Sequence, residues 1–81
     1  MSFTAAQCRA ARALLNWSQA QLASASKVAT KTVATFEQES RAPYERTLAD
    51  IRRALEAAGV DFTNGEQPGV RLRKAPRSRS S

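Results

Sequence analysis

The chain contains no histidine and a single cysteine, Cys8, among its 81 residues. Without a second cysteine no intrachain disulfide can form, and the usual ligands of a zinc site are lacking. No segment approaches the roughly 20 apolar residues that a membrane-spanning helix requires. The sequence also lacks a glycine-rich phosphate loop and paired carboxylates in a plausible cleft. We therefore expect a soluble, cytoplasmic protein that is not an enzyme and needs no cofactor, metal ion, small-molecule substrate or membrane.

Basic side chains outnumber acidic ones, with 13 Lys and Arg against 7 Asp and Glu, so the net charge is +6. Counted along the sequence, residues 1–43 carry a net charge of +3, residues 44–69 carry −2 and residues 70–81 carry +5. A chain of this length forms one small domain. Its basic character favours a polyanionic partner such as a nucleic acid.

Hydrophobic periodicity predicts two helices in the first third of the chain. The first helix is expected over residues 5–15, where Thr4 is the N-cap and Gln7 completes a capping box. Ser18 and Gln21 repeat this pattern at the start of the second helix.

Two further helices are predicted after a tight turn around Lys27. The third helix spans about residues 30–38 and follows Ala29, a poor N-cap. The fourth helix is expected to begin at Thr47 as its N-cap, after the break at Pro43, and to end before Gly59.

Beyond the fourth helix the apolar period changes from helical to alternating, which predicts a short β-hairpin with a six-residue loop. Its apolar residues are Val60, Phe62, Val70 and Leu72. Because an isolated two-stranded hairpin is marginal in water, this face must pack on the chain's own fourth helix or form a dimer interface. Residues 74–81 are predicted to be a flexible basic tail.

The third helix carries two kinds of side chain on opposite faces. Val33 and Phe36 form an apolar face, and small polar and cationic side chains occupy the other. This pattern is typical of a helix that packs on one side and enters the DNA major groove on the other. The residues expected to contact base edges are Thr30, Lys31, Thr32 and Thr35.

One set of positions along the four predicted helices has a recognisable spacing: Arg12, Trp17, Ser18, Gln19, Leu22, Ala23, Val28, Val33, Phe36, Glu37, Pro43, Thr47, Leu48 and Ile51. At these positions residues 4–58 resemble the lambda-repressor-like helix-turn-helix family, which includes phage repressors, Cro proteins and Xre-type bacterial regulators. The sequence departs from the family pattern at the turn, where Ser26 and Lys27 replace an apolar residue and a glycine.

The resemblance implies an all-α, four-helix helix-turn-helix domain over residues 1–58. The hairpin over residues 59–73 and the basic tail lie outside the resemblance and are appended to this domain. The resemblance further implies a sequence-specific regulator of transcription that binds a double-stranded operator as a homodimer. It also implies backbone contacts from Ser18, Gln19, Gln38 and Arg41, and a structural salt bridge between Arg12 and Glu37.

Two other functions agree with the same sequence. The first is the DNA-binding antitoxin of a toxin–antitoxin pair, with a protein partner held by the hairpin or tail. The second is a protein-interaction module on a helix-turn-helix scaffold that has lost DNA binding. A neighbouring toxin gene distinguishes the first, and failure to bind DNA at any salt concentration distinguishes the second.

Deletion of residues 74–81 tests whether the tail contributes to DNA binding. The deletion removes Lys74, Arg77 and Arg79. If all three contact phosphates, the slope of log K against log salt should fall by about three units, at roughly 0.9 per phosphate. A tail that only increases solubility would leave the slope unchanged when binding is measured across a salt series.

Overall fold

Four helices and one antiparallel hairpin form the described part of the chain. The structure is a computed structural model that describes residues 3–41, 43–63 and 69–73. The elements are α1 (Ala5–Leu15), α2 (Gln19–Ser26), α3 (Thr30–Glu37), α4 (Glu45–Ala57), β1 (Val60–Thr63) and β2 (Gly69–Leu72). The predicted succession of four helices and a hairpin is confirmed. The predicted tail and most of the predicted hairpin loop lie outside the described residues.

The first two helices begin with complete capping boxes, as predicted. The Thr4 hydroxyl accepts the Gln7 backbone N–H at 3.0 Å, and the Gln7 side chain accepts the Thr4 N–H at 3.0 Å. Ser18 and Gln21 make the same reciprocal pair, at 3.0 and 2.7 Å. These bonds satisfy backbone donors that the first helical turn leaves without partners.

The prediction that Thr47 caps α4 is wrong. The helix begins at Glu45, with Tyr44 as N-cap in an extended conformation and without a side-chain capping bond. The Leu48 N–H already donates to the Tyr44 carbonyl at 3.0 Å, so Thr47 lies inside the first turn. The helix therefore begins two residues after Pro43, and Glu45 places a carboxylate at its positive end, where it is favourable.

Every helix and the hairpin contribute a fully buried side chain to one core. The largest of these side chains are Leu22, Ile51, Leu55, Val33, Val60 and Cys8. Burial of each aliphatic side chain is worth about 1.5–3 kcal/mol. Because Val60 of β1 belongs to this cluster, the hairpin shares the core of the helices.

Aromatic side chains join the N-terminus to α3 and the hairpin. The Phe3 ring lies 5.7 Å from the Phe36 ring and 5.1 Å, edge-on, from the Phe62 ring. The Arg52 guanidinium stands 5.4 Å from the centroid of the Phe62 ring. The hairpin is therefore held between the N-terminal segment and α4.

The strands pair in the register Val60↔Leu72 and Phe62↔Val70, with Thr63 opposite Gly69. Val60 is fully buried, whereas Phe62 and Val70 are partly buried against the core. Leu72 keeps 43% of its surface exposed. Of the four residues considered for a dimer interface, three are thus covered to a large extent by their own chain.

Gln7 also attaches the hairpin to α1. Its side-chain nitrogen donates to the carbonyl oxygens of Thr63 and Gly69, at 3.3 and 3.1 Å. These oxygens lie at the two strand ends beside the hairpin loop. One buried amide therefore completes the α1 cap and fixes both strands.

The turn between α2 and α3 contains a strained residue. Lys27 caps α2 with a φ of 61°, in the left-handed region that L-residues other than Gly, Asn and Asp seldom adopt. The neighbouring Ser26 is buried, and its hydroxyl donates to the Leu22 carbonyl at 2.7 Å. The buried Ser26 hydroxyl therefore has a hydrogen-bond partner within its own helix.

None of the helices in the described part of the chain is long and apolar enough to cross a membrane.

Replacing Lys27 with glycine should stabilise the protein by about 1 kcal/mol, because glycine adopts the left-handed conformation without a Cβ clash. Urea unfolding of the wild type and of Lys27→Gly measures the difference. The control is Asn16→Gly at the end of α1, where φ is 62°. Asparagine tolerates this conformation, so the control should gain less. A Lys27→Gly variant that is no more stable than the wild type would contradict the assignment of strain.

Candidate functional site

The outer face of α3 combines the exposed polar side chains that the sequence singled out. Val33, Phe36 and Glu37 are buried, which fixes the orientation of the helix on the core. Thr30 and Lys31 are exposed, and Thr32 and Thr35 are half-buried. The helical period therefore directs these side chains away from the core or along its edge.

An open groove runs along this face, with a volume of about 430 Å³. The lining residues are Ala29, Lys31, Thr32, Thr35, Arg41 and Pro43. Two cations and two hydroxyl groups line it, and no carboxylate is among these residues. The groove therefore offers hydrogen-bond donors and positive charge to an anionic ligand.

The start of α3 adds backbone donors to the same face. Ala29 makes no side-chain capping bond, unlike Thr4 and Ser18 at the starts of α1 and α2. Among the residues that the structure describes, the first N–H groups of α3 thus have no side-chain acceptor, and they stand at the positive end of the helix dipole.

The four residues expected at the DNA backbone occupy different places. Arg41 lies in the groove with Lys31 and the two threonines. Gln38 is exposed at the end of α3. Ser18 uses its hydroxyl oxygen as a cap, and the Gln19 amide nitrogen donates to a Glu37 carboxylate oxygen at 3.1 Å. The structure therefore brings Arg41 to the candidate base-contacting residues, whereas Thr30, Ser18, Gln19 and Gln38 are not part of the groove lining.

A buried carboxylate holds α3 in place from behind. The side chain of Glu37 is only 3% exposed, and that of Arg12 is 20% exposed. Arg12 donates through Nε to Glu37 Oε2 and through Nη2 to Oε1, both at 2.7 Å. The two residues that we expected to pair therefore form a bidentate salt bridge, the strongest geometry for this pair of groups.

Three further contacts complete the surroundings of Glu37. The Cys8 thiol donates to Oε2 at 3.0 Å, Gln19 donates to Oε1, and Arg9 donates to the Glu37 backbone carbonyl. Arg12 also donates to the Trp17 carbonyl at 2.9 Å. Glu37 consequently joins α1, α2 and α3 through one buried group.

Burial and hydrogen bonding oppose one another at this carboxylate. Burial raises the pKa of Glu37, but the hydrogen bonds from Arg12, Cys8 and Gln19 outweigh it and lower this pKa below its ordinary value of 4.5. The hydrogen bond to Glu37 raises the pKa of Arg12. Burial, and then the hydrogen bond to Glu37, raise the pKa of the Cys8 thiol well above its usual range. Arg12 and Glu37 therefore stay ionised, and Cys8 stays a neutral donor.

Sequence reasoning missed the contribution of Cys8 to this network. The residue is fully buried in the core. The available signal was its spacing, because Cys8 and Arg12 lie one turn apart on the same face of α1. The thiol therefore reaches the carboxylate that Arg12 binds.

Within residues 3–41, 43–63 and 69–73, no group of three His, Cys, Asp or Glu side chains is arranged to hold a metal ion. A scan of protein-family models and a search of curated proteins both give no match to this chain. The geometry of the site itself therefore carries the functional inference.

Replacing Glu37 with glutamine should lower the free energy of unfolding by about 3–5 kcal/mol, because Arg12 would keep a poorly solvated charge without its partner. Urea unfolding at neutral pH measures the loss. The matched control is Glu39→Gln. Glu39 is exposed, its carboxylate lies 3.9 Å from the Arg9 guanidinium, and its replacement should change stability by less than about 0.5 kcal/mol.

Acidification provides an independent readout of the same interaction. Because folding lowers the pKa of Glu37, its stabilising effect is fully present above pH 4.5 and is lost as the pH falls through the folded-state pKa below that value. The stability difference between the wild type and Glu37→Gln should therefore narrow below pH 4.5. A constant difference across that range would show that the carboxylate charge does not provide the stabilisation.

Proposed function

We propose that this chain is a sequence-specific DNA-binding regulator of transcription that lays α3 in the major groove of its operator. The observation that carries the proposal is the groove on the outer face of α3, where Lys31, Thr32, Thr35 and Arg41 present two cations and two hydroxyl groups together. A basic net charge of +6 supports a polyanionic ligand.

The side chains on this face suit the edges of base pairs. A lysine donates to the O6 and N7 acceptors of guanine, which makes Lys31 the main candidate for base recognition. Threonine hydroxyls bond to several bases, and the threonine methyl group contacts the methyl group of thymine. Thr30, Thr32 and Thr35 surround Lys31 on the same helix, so the four residues together are proposed to read a short sequence.

Other groups around the helix are better suited to phosphates. Arg41 extends into the groove from the segment that follows α3, and a guanidinium binds phosphate oxygens in a bidentate manner. Gln38, three residues before Arg41, is also exposed. At the start of α2, the Gln19 side chain is engaged by Glu37, so its proposed phosphate contact is the backbone N–H at the helix terminus.

The Glu37 network supports this proposal by fixing the recognition helix. A base contact requires side chains held to within a fraction of an ångström, which a loosely packed helix of eight residues cannot provide. The salt bridge to Arg12 and the bond from Gln19 attach α3 to α1 and α2. The acidic side chain is thereby buried, and its charge is neutralised rather than presented to DNA.

The same proposal includes binding as a homodimer to a two-fold symmetric operator. With eight residues, α3 is about 12 Å long and reaches only a few base pairs, which is too few for operator specificity. Two copies would place their recognition helices about 34 Å apart, one turn of DNA. Because the apolar face of the hairpin packs on its own chain, the dimer need not use Val60, Phe62 and Val70.

Selection of binding sites from random duplexes tests the proposal directly. The purified protein should enrich a two-fold symmetric sequence with half-sites one helical turn apart. Enrichment of a single short half-site would support DNA recognition and contradict binding as a homodimer. Failure to enrich any sequence at low salt would overturn the proposed function.

Replacing Lys31 with alanine should weaken binding to the selected site by about 1–3 kcal/mol and relax the preference at one base position. The control is Arg53→Ala, which also removes one exposed positive charge but lies on α4, away from the groove lining. It should leave the preference unchanged. Binding measured on the selected site and on single-base variants separates the two effects. If Lys31→Ala instead lowered the affinity equally for every DNA sequence, Lys31 would be a phosphate contact.

A further inference from the structure

One edge of the hairpin carries backbone groups that its partner strand does not use. The Arg73 N–H donates to the Gly59 carbonyl at 2.7 Å, so Gly59 and Arg73 form a hydrogen-bonded pair. In an antiparallel ladder, hydrogen-bonded and non-hydrogen-bonded residue pairs alternate along the two strands. It follows that the two strands exchange no backbone hydrogen bonds at the pairs Val60↔Leu72 and Phe62↔Val70. The N–H and C=O groups of Val70 and Leu72 therefore point away from β1. They lie along an edge of β2 that no other strand of the described residues pairs with, which we call the free edge.

An open groove lies beside this edge. It has a volume of about 450 Å³ and separates α1 from β2. Its lining residues are Thr4, Ala6, Gln7, Ala10, Gly69 and Val70. The small side chains of Ala6 and Ala10 leave space next to the strand, and Leu72 exposes 43% of its surface farther along it. The edge is therefore accessible to another extended segment.

The exposed side of β2 is positively charged. The Arg71 side chain is 75% exposed and that of Arg73 is 47% exposed. Both guanidinium groups lie within ion-pair distance of Asp61 on β1, so two cations share one carboxylate. Residues 70–81 contain five Lys and Arg and no acidic residue. A segment added to this edge would meet an excess of positive charge.

We propose that the free edge of β2 binds an extended, acidic segment of a partner protein, which adds to the hairpin as a third strand. Strand addition uses main-chain hydrogen bonds for affinity and alternate side chains for specificity. The unpaired groups of Val70 and Leu72 supply two donors and two acceptors, and Arg71 and Arg73 supply the charge that selects acidic side chains. This inference does not depend on DNA binding by α3.

Charge and hydrogen-bond chemistry favour an acidic peptide strand at this edge over a second copy of the chain and over DNA. In the antiparallel arrangement that pairs Val70 with Leu72 of a second copy, the two Arg71 side chains would lie directly opposite, and like charges in that position are destabilising. DNA phosphates accept hydrogen bonds but donate none, so they would leave the Val70 and Leu72 carbonyl groups without partners. A peptide strand offers both donors and acceptors.

A titration with designed peptides tests the proposal. The probe is a capped heptapeptide of alternating glutamate and valine, added to ¹⁵N-labelled protein at low salt. The amide signals of Val70 and Leu72 should shift in a saturable manner, because their N–H groups gain acceptors. A heptapeptide of alternating lysine and valine is the charge control and should not bind. A glutamate–valine peptide with N-methylated backbone amides should also fail, because it cannot donate to the free edge.

Two pairs of variants locate the interaction. Arg71→Glu should reduce affinity for the glutamate–valine peptide about tenfold and create affinity for the lysine–valine peptide, since the charge preference is reversed. Leu72→Pro removes one edge N–H that β1 does not use, so the hairpin should remain folded and peptide binding should be lost. Leu72→Ala removes the same side chain but keeps the N–H, and it should still bind. Thermal unfolding of both Leu72 variants checks that they fold equally well.

Three results would overturn the proposal. The first is the absence of shifts at Val70 and Leu72, or equal binding of both peptides. The second is a dimer in sedimentation equilibrium that Leu72→Pro dissociates and Leu72→Ala does not, which would assign the edge to a second copy. The third is a duplex of arbitrary sequence that shifts these amides when the peptides do not, which would assign it to DNA. None of these three measurements depends on whether the protein selects an operator sequence, so the proposal for the β2 edge is tested separately from the proposed function.

Discussion

The buried carboxylate of Glu37 is the interaction on which the arrangement of the helices depends. An ionised carboxylate with a side chain that is 3% exposed is tolerated only because Arg12, Gln19 and Cys8 donate four hydrogen bonds to its two oxygens. These donors come from two different helices, so satisfying the charge also fixes the position of α3. Apart from Glu37, the buried residues of this eight-residue helix are Val33 and Phe36, and apolar contacts are not directional. The carboxylate requires one orientation, because a bidentate bond to Arg12 is directional.

Gln7 performs a comparable function for the hairpin. A two-stranded ribbon has too little core of its own to be stable, and here Val60 supplies the buried contact and Gln7 the directional one. The same amide accepts the N-cap bond at Thr4, so the start of α1 and the loop end of the hairpin are fixed together. The hairpin is consequently part of the helical unit, and its apolar face is used for folding. What it offers to other molecules is its edge and its charged outer side.

The two surfaces that we propose as binding sites differ in chemistry. The groove on α3 presents two cations and two hydroxyl groups on a rigid helix, which suits base edges and phosphates. The edge of β2 presents alternating backbone donors and acceptors flanked by two arginines, which suits a peptide strand. A chain with both surfaces would connect a DNA site to an acidic protein. The sequence pattern and the family resemblance indicated the polar residues of α3 that line this groove, whereas the free edge follows from the register of the two strands.

The sequence by itself determined the features that depend on neighbours three or four residues apart. The capping boxes at Thr4 and Ser18, the helix periods and the alternation from Val60 onward are all local, and the structure contains the elements that they predict. Local reasoning failed at Thr47, because a good N-cap residue does not prevent a helix from beginning earlier, here at Glu45. Only the tertiary structure decided how Cys8 is used, where the apolar face of the hairpin packs and that Gln7 bonds to carbonyl groups 56 and 62 residues away. Such contacts join elements whose separation in space is set by the packing of the whole core, which no short stretch of sequence specifies.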